Sequence, residues 1–178
     1  MTRARRQPGA DLEAALGAVS PDVKEAFRLV SLELSRLRIR CALCGGLAVG
    51  AHGYPRATKD IDFLVGDEAF EHHGPIVTSR VPFQVGGIAV DAVHFPDAPF
   101  LDEELPEAGV VAVISPEALT YMKLRAGRLR DRSDVVELIK AGGLDPERVR
   151  AYLGNHAPAL LASFESQVET AAREDAEE

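Results

Sequence analysis

Cys44-Gly45-Gly46-Leu47-Ala48-Val49, followed by Thr58-Lys59-Asp60-Ile61-Asp62-Phe63-Leu64, is the stretch that decides the fold. It reads as an apolar strand closed by Gly-Gly, a short helix, and a second strand carrying two aspartates one residue apart. In a strand, residues i and i+2 share a face and lie about 6.6 Å apart. Asp60 and Asp62 therefore point the same way and can share metal ions, while Ile61 and Phe63 turn to the core. A glycine turn that feeds a helix N-terminus brings backbone N–H groups to anions. Together these are the parts of a site for a metal-bound triphosphate.

Outward from that stretch, residues 40–44 read as the first buried strand and 47–52 as a short helix ended by Gly53 and Pro55. Residues 59–65 form the second strand and 88–95 a third with alternating faces. Gly86-Gly87 marks a turn before it, which makes 81–85 its hairpin partner. Residues 109–114 are either another edge strand or an extended connection. Upstream, Ser20-Pro21 is a cap and first-turn signal for an amphipathic helix to about Arg38. After Ser115-Pro116 the pattern turns helical, with Leu119, Met122, Ala126 and Leu129 at helical spacing, then Val135, Leu138 and Ile139. Asp145-Pro146-Glu147 starts another helix, and Pro158 separates it from a last one through Leu161, Phe164 and Val168. The predicted class is α+β: a small mixed or antiparallel sheet flanked by helices, with a helical C-terminal part. The predicted organisation is a flexible arm over 1–10, a core over 11–115, a helical part over 116–173 packed on that core, and a frayed acidic tail over 174–178.

Composition narrows the function classes. A chain of 178 residues with 46% apolar content supports one folded core with a small extension. No apolar run spans a bilayer, and no apolar signal core follows the basic Met1–Arg6 start, so the expectation is a cytoplasmic protein with no membrane partner. Cys41 and Cys44 form a lone Cys-x-x-Cys; zinc would need a second pair, and buried strand thiols are the better reading. The net charge of −8 argues against a broad nucleic-acid-coating surface. Lys123, Arg125, Arg128, Arg130 and Arg132 nevertheless form a local basic cluster. His72 and His73 are adjacent and point to opposite sides of an extended chain, so they read as loop residues and not as a metal site.

Phosphoryl and nucleotidyl transfer need oxyanion neutralisation more than covalent help. Two divalent ions about 3.5–4 Å apart supply it, held by carboxylates on rigid strands. Asp60 and Asp62 give two such carboxylates, and Asp91, in Ile88-Ala89-Val90-Asp91-Ala92-Val93, is the candidate third. An aspartate in an apolar strand is costly unless something pairs with it. Metal coordination is one answer; a buried hydrogen bond or a sheet edge is the other. Arg56 either steadies a triphosphate or serves as a salt-bridge partner for Asp60. His52 packs near the site and need not be a base.

Gly45-Gly46-x-Ala48, then His52-Gly53, Arg56, Thr58, Asp60-x-Asp62 and the later Asp91 resemble nucleotidyltransferases of the DNA polymerase beta superfamily. The nearest branch is the small AbiEii-like bacterial proteins, some of them toxins of toxin–antitoxin pairs. The segment Tyr121 to Asp134 is similar to that branch's helical motif of a lysine and aspartates, so the likeness spans roughly residues 41–140. By that resemblance the sheet is a nucleotidyltransferase sheet. Gly45 and Gly46 would bind the triphosphate, with Arg56 and Thr58 beside them, and Asp60 and Asp62 would hold both Mg2+ ions. Asp91 would be the third metal ligand and activate the acceptor hydroxyl. Lys123 would contact a phosphate, and Asp131 and Asp134 would order the helical wall or touch the nucleotide. The chain departs from the pattern at Gly46, where many members carry serine, and over 66–85, where Glu71-His72-His73-Gly74-Pro75 interrupts what would often be a helix.

The implied activity is transfer of a nucleoside monophosphate from an NTP, ATP among them, to a hydroxyl acceptor. The acceptor would be RNA or tRNA in a toxin–antitoxin system with a small antitoxin-type protein partner. The alternatives are a small-molecule, aminoglycoside-type acceptor, which would suit an acidic protein, or a non-catalytic relative that binds nucleotide or a partner.

Overall fold

The computed structural model describes residues 9–177. Most of the expected arm and the last residue of the expected tail lie outside them. In chain order the elements are α1 (Leu12–Gly17), α2 (Pro21–Arg36), β1 (Cys41–Cys44), α3 (Gly45–Ala51), β2 (Asp60–Val65), β3 (Phe70–His73), β4 (Ile76–Ser79), β5 (Gln84–Val85), β6 (Ile88–Val93) and β7 (Val111–Val113). The helices α4 (Pro116–Ala126), α5 (Leu129–Lys140), α6 (Pro146–His156) and α7 (Leu161–Glu177) complete the chain. This is the α+β class that the sequence predicts.

The sheet runs β5-β6-β2-β1-β7. It is mixed: β2 lies antiparallel to β1 and parallel to β6, and β7 lies parallel to β1 at the edge. Residues 109–114 thus supply an edge strand. Strand alternation divides the core in two. Cys41 and Leu43 of β1, with Ile61, Phe63 and Val65 of β2, pack under α1 and α2. Ala42, Cys44 and Leu64 face the layer built by α4 to α7. Period 2 places Asp60 and Asp62 on Leu64's face, toward the C-terminal helices. The short α3 sits between both cores, giving Leu47 and Ala51 to one and Ala48 and Val49 to the other.

Local chemistry sets these boundaries. Ser20 accepts a hydrogen bond from the Val23 amide at the start of α2, with Pro21 at the first helical position. On α2, Val23, Phe27, Val30 and Leu34 form the buried stripe. Phe27 stacks on Phe63 at 6.1 Å between ring centroids, and fully burying such a ring is worth roughly 1.5–3 kcal/mol. Ser115 caps α4, and its own amide and hydroxyl are held by Glu104 at 2.7 Å each.

The structure departs from or adds to the sequence reading at four places. The short helix begins at Gly45, two residues before the first apolar position that suggested it. Residues 12–17 form α1, too short for periodicity to show, capped by Asp11 and resting on α3. His72 and His73 lie on β3, not in a loop; the interruption at Gly74-Pro75 is the turn of the separate β3–β4 hairpin. Glu174–Glu177, part of the expected tail, continue α7, and Glu174 receives Lys140 from α5 at 3.3 Å.

Candidate active site

The parallel register of β2 and β6 sets Asp62 directly opposite Asp91, and that of β1 and β2 sets Cys44 opposite Asp62. One carboxylate oxygen from each of Asp60, Asp62 and Asp91 lies within 4.8 Å of the others. Among the described residues it is the only such cluster of three potential metal-ligating side chains. An all-carboxylate oxygen set suits a hard divalent cation such as Mg2+. The surroundings favour one as well. Burial raises the Asp62 carboxyl to about 6, and the neighbouring charges of Asp60 and Asp91 add to it. Lys123 and the Gly46 amide, which donates to the Asp62 carboxylate, pull the other way. A divalent ion would remove that like-charge conflict.

The Gly-Gly step is dictated by crowding. Gly45 follows the residue paired with Asp62 and has φ +60, the left-handed region that favours glycine. A Cβ there would overlap the Asp62 carboxylate. At Gly46 a Cβ would meet Thr58 Oγ1 at 2.8 Å and Thr58 Cβ at 3.0 Å. Thr58 needs its position, because its hydroxyl donates to Asp60 at 2.6 Å. The space that a serine would need at position 46 is therefore taken by Thr58.

Across from the strands stands a buried ionic wall. Lys123 Nζ on α4 donates to Asp131 at 3.0 Å and to Asp134 at 2.7 Å, both on α5. Arg56 grips Asp134 with two 2.7 Å bonds, and Arg128 donates to Asp131 at 2.7 Å. Burial pushes the Asp131 carboxyl up, but its bonds to Arg128 and Lys123 outweigh that and leave it below the ordinary aspartate value. The joint between α4 and α5 makes this possible: Gly127, at φ +67, ends α4 in the left-handed conformation, and α5 starts two residues later.

A cavity of about 200 Å³ lies between the strands and this wall. It is bordered by Gly45, Gly46, Arg56, Thr58, Asp60, Asp62, Asp91, Lys123 and Asp131, which are nine of the ten residues singled out from the sequence. The tenth, Asp134, stands behind it as the anchor of Arg56 and Lys123. Arg56 therefore pairs with Asp134 and not with Asp60. The basic cluster is not one face: Lys123 is buried, and Arg125 turns to Asp97 at 2.8 Å. Arg128 and Arg130 also border the cavity. The sequence places them only in the general basic cluster, although Arg128, three residues before Asp131 at a helix start, carries the signal. His52 is buried away from it, with Nε2 donating to the Ile114 carbonyl at 2.7 Å.

No family model matches this chain, and no curated protein matches it. Among the described residues no helix is long and apolar enough to cross a membrane.

Proposed function

We propose that the protein is a magnesium-dependent nucleotidyltransferase that moves a nucleoside monophosphate from an NTP to a hydroxyl acceptor. The observation that carries the reading is the convergence of Asp60, Asp62 and Asp91 beside the Gly45–Gly46 turn, at the mouth of one cavity. Asp60, Asp62 and Asp91 would hold the ions, which when bound supply charge neutralisation on the phosphate oxygens. The chain's own residues do the rest. Gly45 and Gly46 let the backbone approach the triphosphate, and Arg128 and Arg130 offer cations to its outer phosphates. Lys123 and Arg56 act through the wall they build. Asp91 orients the acceptor hydroxyl and takes its proton. The acceptor oxygen forms a bond to the α-phosphorus, the bond to the β-phosphate bridge breaks, and pyrophosphate leaves.

RNA, tRNA first, is the acceptor this reading favours, with a toxin–antitoxin setting and an antitoxin-type partner. A small-molecule acceptor is the second reading. It is supported by the net charge of −8 and by the burial of Lys123, whose charge is taken up by Asp131 and Asp134 instead of facing a phosphate backbone.

The test is incubation of purified protein with labelled NTPs, Mg2+ and either cellular RNA or an aminoglycoside. Label transfer that Asp60→Asn/Asp62→Asn abolishes supports the reading, and the labelled fraction names the acceptor class. No transfer to any acceptor, with the variant binding Mg2+ and NTP as the parent does, overturns it. NTP binding without turnover in calorimetry would identify a nucleotide-binding module instead.

A further inference from the structure

The two edges of the five-stranded sheet are not alike. On one side β5 is two residues long and follows soon after Pro82; short strands and prolines close an edge to further pairing. On the other side lies β7, paired only with β1. Val110-Val111-Ala112-Val113 carries no charge and no proline. The Ile114 amide donates to the Leu43 carbonyl of β1. By alternation along the strand, the backbone groups of Val111 and Val113 therefore turn to the open side.

Beside this edge runs a groove of about 510 Å³ between β7 and α2. Leu16, Phe27, Leu32 and Val111 form its apolar walls. Leu32 is 58% exposed, and Val110 on the same edge is 55% exposed. Apolar surface is thus left to water next to unpaired strand backbone, which is the combination a bound strand covers.

The charges around the groove say what that strand carries. Only Lys24 and Arg28 border it as charged residues, and both are cations. Arg28 is held in place by Glu25 at 2.6 Å, and Lys24 has no ion-pair partner among the described residues. In a chain of net charge −8, a groove bordered by cations alone selects for acid. We propose that the groove and the β7 edge together bind an extended acidic segment of a partner protein. The segment adds a strand to β7, sets its alternate apolar side chains against Leu32 and Val111, and brings carboxylates to Lys24 and Arg28. A second copy of this chain fits less well, because a two-fold contact applies the same patch to itself and cations would meet cations. The chain's own start, with Arg3, Arg5 and Arg6, has the wrong sign too. The proposal is independent of the carboxylate cavity.

The test pans a displayed library of random decapeptides against the full chain, with counter-selection on Leu32→Glu. Both Leu32 and Lys24 are exposed on α2, so the variants keep the fold, which melting curves check. The enriched peptides should alternate apolar residues with aspartate or glutamate. In calorimetry, one of them should bind Leu32→Glu and Lys24→Glu about tenfold or more weaker than the parent. The same peptide with lysines in place of its acids should bind Lys24→Glu better than it binds the parent. Amide exchange on the parent should show Val111 and Val113 protected by the peptide, which helical docking in the groove would not produce. Several results overturn the proposal: no enrichment over the counter-selection, enrichment of basic sequences, or a bound peptide that leaves the Val111 and Val113 amides unprotected. A dimer in sedimentation that Leu32→Glu dissociates also overturns it, by making a second copy the occupant.

Discussion

Arg56 and Asp134, 78 residues apart, meet through two parallel 2.7 Å bonds that tie the loop before β2 to the middle of α5. The same carboxylate takes Lys123 Nζ, so Asp134 is the point where the aspartate strand and the helical wall are joined. Removing one partner of a buried ion pair leaves charge uncompensated. Asp134→Ala, which strips the half-buried Arg56 of its carboxylate partner and buried Lys123 of one of its two, is expected to cost about 3–5 kcal/mol in urea unfolding. Lys123→Met should cost clearly less, because Asp131 keeps Arg128 and Asp134 keeps Arg56. Equal losses in the two variants would refute this account of the wall.

The crowding at the Gly-Gly step makes two substitutions informative. Gly45→Ala displaces the Asp62 carboxylate and should weaken Mg2+ binding by about 10–100-fold, the range seen when a metal ligand loses its support. Gly46→Ala pushes on Thr58 and through it on Asp60. The two residues share one space, so Gly46→Ala and Thr58→Gly should be non-additive, with the double variant recovering stability relative to Gly46→Ala. Additive losses in thermal melts would count against that close contact.

Asp62 sets a pH signature for the metal-free protein. Its carboxyl titrates at about 6 in the fold, against 3.8 as the ordinary value. The folded state therefore holds a proton that the unfolded chain has lost, and this contribution is complete below pH 3.8 and gone above about 6. Asp62→Asn keeps a group that can accept the Gly46 amide but carries no charge. It should stabilise the metal-free protein by about 1–3 kcal/mol at pH 8 and make little difference at pH 4. A gain that is the same at both pH values would rule out charge as its cause.

His52 supplies the opposite sign. Burial lowers its pKa below the ordinary 6.5, and the Ile114 carbonyl that accepts its Nε2 proton only partly offsets this. The unfolded chain binds the extra proton first, so this contribution declines as pH falls below 6.5. His52→Gln, with an amide able to donate to the same carbonyl, should lose less stability than the parent between pH 7 and 5. Urea midpoints at those two values decide it.

Much of this architecture was legible because punctuation and periodicity agree. Ser20-Pro21, Gly86-Gly87 and Ser115-Pro116 mark real boundaries, and period 2 alone set Asp60 and Asp62 on one face. Asp91 could be singled out as a charge in an apolar strand; its register opposite Asp62 could not, since that depends on how 66–87 crosses over. That segment defeated the reading because two four-residue strands around Gly74-Pro75 leave no helical period and little apolar patterning. The Arg56–Asp134 bond was invisible for another reason. A pair 78 residues apart has no local signature, and Arg56 next to an Asp-x-Asp strand suggested the nearer partner. Why Gly46 is not serine was also hidden, because the cause is a side chain twelve residues away.

The placement of α3 between two cores bears on what the smallest working piece of this protein is. A fragment cut after residue 114 would retain Asp60, Asp62 and Asp91. It would also turn Ala42, Cys44, Leu64, Ala48 and Val49 out to water, and with them half of the helix that positions the glycine turn. The C-terminal helices are thus no detachable accessory to an autonomous sheet unit. Loss of order in the annex and loss of the aspartate geometry are one cooperative event, and a ligand that tightens either half protects the amides of both from exchange.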